Sequence, residues 1–292
     1  MGKSNDIGRA LEYKIVNFIT QKIRSVELLQ NTPNDQYRDG EYYSKLNHAL
    51  KIKYTKSAEK VFEWLENKFA LSQANIIKIR RLTDAEAIRG DVTDIRIYVD
   101  NEVTNLSIKH NHRALKHQRP SATPKQCGLG KNTELSKNFK VDYKSVSLDF
   151  LQASKKLSPS ATLFKELKDI NYDFIDDHLY SPMCKLVLEL LNKVSSKPVN
   201  AQAYFDFLVG NNDFHKIMVF DSVVEIKEFA SLPVVTSMQV TQINKSNIGI
   251  KFSNNWEIKM RLHTASSRLE TVSLKFDTQP VDIKVPTLKI QL

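Results

Sequence analysis

The chain has 292 residues, 41% of them hydrophobic, enough to bury one large core or two modest ones. No apolar run reaches the length of a membrane-spanning helix, the start MGKSNDIGRA lacks a signal peptide's apolar stretch, and the two cysteines, Cys127 and Cys184, supply neither a disulfide framework nor a four-ligand zinc site. A soluble protein of a reducing cytoplasm is expected, and its net charge of +10 favours a polyanionic partner, because basic surface releases counterions from nucleic acid.

In chain order, Ile7, Leu11, Ile15, Phe18 and Ile19 recur at helical spacing, with Asn5 or Asp6 available as a cap. Proline, glycine and acids in NTPNDQYRDGEYY then break the pattern. SAEKVFEWLENKF predicts a second amphipathic helix with Val61, Trp64 and Phe69 on its stripe, and NIIKIRRL a short strand. Residues 94–99 and 104–109 both alternate, which predicts a hairpin. A turn centred on Asn101 and Glu102 pairs residues whose numbers sum to 203. Residues 121–157 are polar and glycine-bearing and read as a long loop. Between 160 and 210 the signal is helical, as in YSPMCKLVLELLNKV and PVNAQAYFDFLVG. From about residue 213 period two takes over, and FHKIMVF, VVEIKEF, VVTSMQVTQI, IGIKFS and WEIKMRLH read as consecutive strands. The expected fold is mixed α+β: a core over 1–157 that carries the hairpin 94–109, then a helical segment and a strand-rich lobe over 158–292.

The expected register sets Asp94 opposite Lys109, on a polar face shared with Ser107. The plain explanation is a cross-strand ion pair, worth roughly 0.2–1 kcal/mol. The alternative is a metal-dependent phosphodiesterase site, in which a strand-end carboxylate holds Mg²⁺ through hard oxygen ligands while the lysine orients a water and stabilises charge on the phosphate. An aspartate, then an acid-x-Lys across a hairpin, is the PD-(D/E)XK nuclease pattern. Glu12 borders the apolar stripe of the first helix, where a carboxylate is costly unless used; a lysine partner is the structural alternative.

Four blocks, KSNDIGRALEY, GDVTDIRI, LSIKHNHRALKHQRPS and WEIKMRLHTASSRLETVSLKFD, resemble the HaeIII family of type II restriction endonucleases and span almost the whole chain. The resemblance implies a PD-(D/E)XK core of a mixed sheet flanked by helices, in a bacterial, Mg²⁺-dependent enzyme. Such an enzyme cuts both strands of DNA at GGCC and is partnered with a DNA methyltransferase that protects the host. Carried over, Asp94 is the principal metal ligand, Lys109 the catalytic lysine and Glu12 the supporting helix acid. Ser107 departs from the wider pattern, since it stands where an Asp or Glu supplies the second carboxylate. Glu12 or Asp91, together with the Ile108 carbonyl, then completes the metal site. Asp91 competes with Asp94 for the first role, and strand parity favours Asp94.

The run after Lys109 is dense in basic groups. Lys116 and Arg119 are expected on phosphates, with Asn111, His112 and the other histidines nearer the scissile bond. His110–Asn111–His112 spells the name of another nuclease class by coincidence, and His112, His117 and Cys127 lack a fourth zinc ligand. On the late strands Lys251, Lys259, Arg261, His263 and Arg268, with Asn254 and Asn255 at a turn, offer donors for guanine edges. A palindromic site asks for two matched cuts, which a homodimer supplies most simply and a monomer cutting twice supplies otherwise. The rival functions are a DNA-binding module without catalysis and a repair or recombination nuclease of little sequence preference.

Overall fold

A computed structural model describes residues 3–83, 86 and 91–292; Gly90, which opens the GDVTDIRI block, lies outside them. Helix α1 (Lys3–Lys22) forms where its periodicity predicts, with Leu11, Ile15 and Ile19 fully buried. Asn5 and Asp6 stand inside its first turn instead of capping it. Helix α2 (Thr32–Ser44) occupies the stretch expected as a break. Pro33 falls in the first turn, where the missing N–H has no intrahelical partner to lose. Helix α3 (His48–Phe69) extends the second predicted helix back to a cap at Asn47, whose side chain accepts from the Leu50 N–H. Val61 is buried on it, and Trp64 and Phe69 pack at the core's margin as expected.

The chain divides into two compact units. The first takes the chain up to Arg113, then Gly210–Leu232 and Val285–Leu292. It holds a seven-stranded sheet in the order β1 (Val26–Leu28), β2 (Ile77–Arg81), β3 (Ile95–Val99), β4 (Glu102–His110), β6 (Phe214–Val219), β7 (Val223–Phe229) and β12 (Thr287–Gln291). β1 runs parallel to β2 and β4 to β6, and the other neighbours are antiparallel. Leu11, Ile15, Ile19, Val61 and Leu65 from the helices join Ile79, Ile95, Ile97, Leu106 and Ile108 in one core. Each such aliphatic side chain contributes about 1.5–3 kcal/mol when fully buried.

The hairpin forms, but its register is not the expected one. Val99 faces Glu102 and Ile95 faces Leu106, so facing numbers sum to 201. The turn is Asp100–Asn101, closed by Asp100 at φ +50°, whose carboxylate accepts from the N–H groups of Asn75 and Ile76. A slip of two residues leaves every side chain on its predicted face. It replaces Lys109 by Ser107 as the residue facing Asp94.

The second unit comprises Ala114–Val209 and Pro233–Lys284. Its antiparallel sheet runs β5 (Lys116–Gln118), β11 (Leu274–Asp282), β10 (Glu257–Thr264), β9 (Asn247–Phe252) and β8 (Met238–Asn244). Its α-helices are α4 (Thr123–Gln126), α5 (Glu134–Leu157), α6 (Phe164–Ile170), α7 (Ser181–Val194) and α8 (Pro198–Val209). Helix α5 overturns the loop expected over 121–157. Thr133 caps it by accepting from the Ser136 N–H, and Phe139, Phe150 and Ser154 recur on one buried face under a mostly polar surface. Phe150 stacks on Phe164 at 5.8 Å between ring centroids. The expected break at 157/158 therefore falls inside the second unit, and the strands of 158–292 divide between both sheets. Period two marks a strand without marking the sheet it joins.

Candidate active site

Asp94 is fixed at the head of β3 by main-chain bonds on both sides: its N–H donates to the Leu106 carbonyl at 2.8 Å and its carbonyl accepts from the Leu82 N–H at 3.1 Å. Its carboxylate Oδ2 collects three donors from β4. The Ile108 N–H lies at 2.6 Å, Lys109 Nζ at 3.1 Å and Ser107 Oγ at 3.4 Å. Among the described residues none donates to Oδ1. The contact between Asp94 and Lys109 anticipated from the alternation thus exists, although it runs diagonally and Ser107 stands directly opposite.

Glu12 joins this pair from α1. Burial, and after it the Asp94 charge, push its carboxyl up to about 7, against the pull of Arg81 and Lys109. Its partner is Arg81 and not the lysine considered as the alternative: Arg81 Nη2 donates to Glu12 Oε2 while Nη1 donates to Asp39 Oδ2 at 2.5 Å. Arg81 lies at the end of β2 with its side chain 4% exposed, and its N–H donates to Thr32 Oγ1. Burial alone would lower that guanidinium, and the charges of Glu12 and Asp39 more than reverse it. Lys109 behaves alike: desolvation draws it down, and the Asp94 charge and hydrogen bond, with Glu12 beyond, hold it above the usual lysine range. It is an ammonium at neutral pH and has no lone pair to offer as a base.

Asp91 is engaged elsewhere. Its Oδ2 accepts from Arg96 Nη2 at 2.6 Å and its Oδ1 from the Thr93 N–H at 3.1 Å, whereas Asp94 and Glu12 act on one another's charge. Two hard oxygen donors from different elements, one of them raised by burial and then by the charge of the other, suit a divalent cation. His110 follows Lys109, packs edge-on to Tyr54 at 5.4 Å and is lowered by burial and then by Lys53, so the ring is neutral at physiological pH. Asn111 adopts φ +50° and donates its N–H to the Val219 carbonyl at 2.9 Å. His112 is half-buried.

Of the residues expected on DNA within the second unit, Lys116 belongs to β5, and its Nζ lies 4.0 Å from the Phe207 ring centroid. Arg119 is exposed and donates to Ser273 Oγ at 2.7 Å. Arg261 is exposed on β10 and Lys259 half-exposed on the same face. Arg268 is not on a strand face. It lies in the connection from β10 to β11 and bridges to Leu163. Sequence analysis does not single out Arg81 or Asp39: Arg81 is one of three cations in IKIRR, and Asp39 lies in a helix whose proline, glycine and acids predict a break.

A mixed α+β fold that gathers two carboxylates and a lysine at one point of its central sheet is consistent with a nuclease. The family comparison agrees: the chain belongs to the HaeIII restriction endonuclease family, whose model matches residues 8–232, a span that includes Glu12, Arg81, Asp94 and Lys109. It is 24% identical to the type II restriction enzyme HaeIII of Haemophilus aegyptius, over 96% of this chain and 95% of that protein. An uncharacterized protein of Acanthamoeba polyphaga mimivirus is 25% identical over 91% of each. No solved structure gives a significant match. Among the described residues no helix is long and apolar enough to cross a membrane.

Proposed function

We propose that this protein is a PD-(D/E)XK-type type II restriction endonuclease that hydrolyses both strands of DNA at GGCC with Mg²⁺. The observation that carries the reading is the meeting of Asp94, Lys109 and Glu12, from two strands and a helix, at one place in a chain of this family. Asp94 and Glu12 would hold the cation, with the Ile108 carbonyl as third protein ligand. Bound there, the cation supplies Lewis-acid stabilisation of the charge that develops on the attacked phosphate.

The chain's own groups do the rest. Lys109, kept protonated by Asp94, donates to an attacking water or to a non-bridging phosphate oxygen and so favours the more negative transition state. The Ile108 N–H and Ser107 hydroxyl hold Asp94 in one rotamer, and Arg81, clamped by Asp39, holds Glu12. Ser107 provides no second carboxylate, and Glu12 takes over that charge from the helix. In the second unit the outer face of the sheet, with Lys259 and Arg261, presents donors to guanine edges, while Lys116 and Arg119 engage phosphates. The same reading makes the protein a bacterial cytoplasmic partner of a DNA methyltransferase, with two copies delivering the matched cuts.

The test is to incubate the purified protein with Mg²⁺ and plasmid DNA and sequence the ends. Ends within GGCC are expected. Ends at another fixed sequence would refute the specificity alone, and no cleavage with any divalent cation would refute the enzyme.

A further inference from the structure

Beyond Lys109, β4 runs into the left-handed turn at Asn111 and the chain then presents Arg113. Three groups from β6, β7 and their connection hold this residue. Lys216 is buried on β6 in register with Ser107 and donates Nζ to the Arg113 carbonyl at 2.7 Å. Glu225, buried on β7, accepts from Arg113 Nη2 at 3.4 Å. The ring of Phe220 lies 5.0 Å from the guanidinium carbon. The Arg113 side chain is nonetheless 60% exposed.

The Lys216 bond fixes the main chain at Arg113, while Glu225 and Phe220 meet the edge and the face of its guanidinium. The arrangement is also costly to build. Burial, and then the charges of Lys109 and Lys227, hold the Lys216 amine well below the lysine range, with Asp94 and Glu225 offsetting only part. A guanidinium stacked on a ring and anchored at one nitrogen keeps its remaining N–H groups in a fixed planar fork, the geometry that suits a phosphate.

We propose that Arg113 is a phosphate-binding residue for the DNA backbone, and that Lys216 and Glu225 are positioning residues that aim its guanidinium. The proposal rests on the nuclease reading above.

The experiment measures binding of the full chain to duplex DNA without divalent cations, across a salt series, with thermal melts alongside. Arg113→Ala should weaken binding about tenfold or more and lower the slope of log K against log salt by about one. Lys216→Met should lose affinity to a similar degree, and the double variant no more than the single ones. Because Lys216→Met removes a buried group, Glu225→Gln, which keeps the volume, serves as the second positioning variant and should weaken binding in the same way. Wild-type affinity and slope in Arg113→Ala, from a protein that does bind and cut DNA, would overturn the inference alone. Losses that add in the double variant would overturn the positioning role. A wild-type protein that neither binds nor cuts DNA overturns the nuclease reading and this inference with it.

Discussion

Glu12→Gln should make the protein more stable at alkaline pH while removing its activity. Glu12 in the folded chain holds its proton up to about pH 7, against 4.5 for an unperturbed glutamate. Below 4.5 both folded and unfolded chains are protonated there and nothing is lost. Between 4.5 and about 7 the unfolded chain releases the proton first, so stability falls as pH rises; above 7 the full penalty is present. At about 1.4 kcal/mol per unit the penalty is on the order of 3 kcal/mol. Glutamine imitates the protonated acid and still accepts from Arg81, which keeps Asp39. The loss of one of the two charges beside that guanidinium returns part of the gain, so a net stabilisation of about 1–2 kcal/mol is expected at pH 8.5 and under about 1 kcal/mol at pH 5. Urea unfolding at the two pH values, without divalent cations, measures it. A variant equally or less stable than wild type at pH 8.5, or a gain independent of pH, would refute the burial of the Glu12 charge beside Asp94.

Asp94→Ala and Lys109→Ala should each cut DNA at least about a hundredfold more slowly with folding intact; more than about a tenth of wild-type rate in plasmid cleavage would remove that residue from its role. Mg²⁺ at ten times its dissociation constant should stabilise the wild type by about 1.4 kcal/mol, and a melt of Asp94→Ala should show no such shift. DNA affinity should drop steeply with salt, and charge reversal at Lys116 or Arg119 should weaken all sequences alike; filter binding at several salt concentrations distinguishes this from a flat response. Arg261→Ala should blur the choice of site more than it slows cutting at weak sites, and end sequencing that still returns the wild-type site sharply would exclude Arg261 from base reading.

Much of the site was legible because a strand that is half apolar displays its polar residues by contrast. Asp94, Ser107 and Lys109 stand out against Ile95, Leu106 and Ile108, and Glu12 against Leu11 and Ile15. A slip of two in the register did not disturb this, since faces depend on parity and partners on the turn. Arg81 and Asp39 were invisible for a different reason: each reads locally as a surface charge, and only the closure of β2 onto α1 and α2 buries them together. Pro33 and the polar start of α5 misled because the same residues begin helices and end them. The dispersal of the late strands between two sheets follows from long-range pairing, on which local periodicity is silent.

The interleaved order of the two units has a consequence for synthesis. β4, which carries Lys109, obtains its neighbour β6 only after all of 114–209 has been made, and the edge strand β12 arrives later still. A nascent chain emerging from the ribosome can therefore form the 94–109 hairpin early and yet hold it at the open border of a half-built sheet, with Lys216 and Glu225 still absent. Pairing across such a separation in sequence is slow, because loop closure must precede the contacts that reward it. The strand that carries Lys109 is in this way flanked on both sides only once β6 has been made, and chains that terminate before β6 leave β4 as an edge strand.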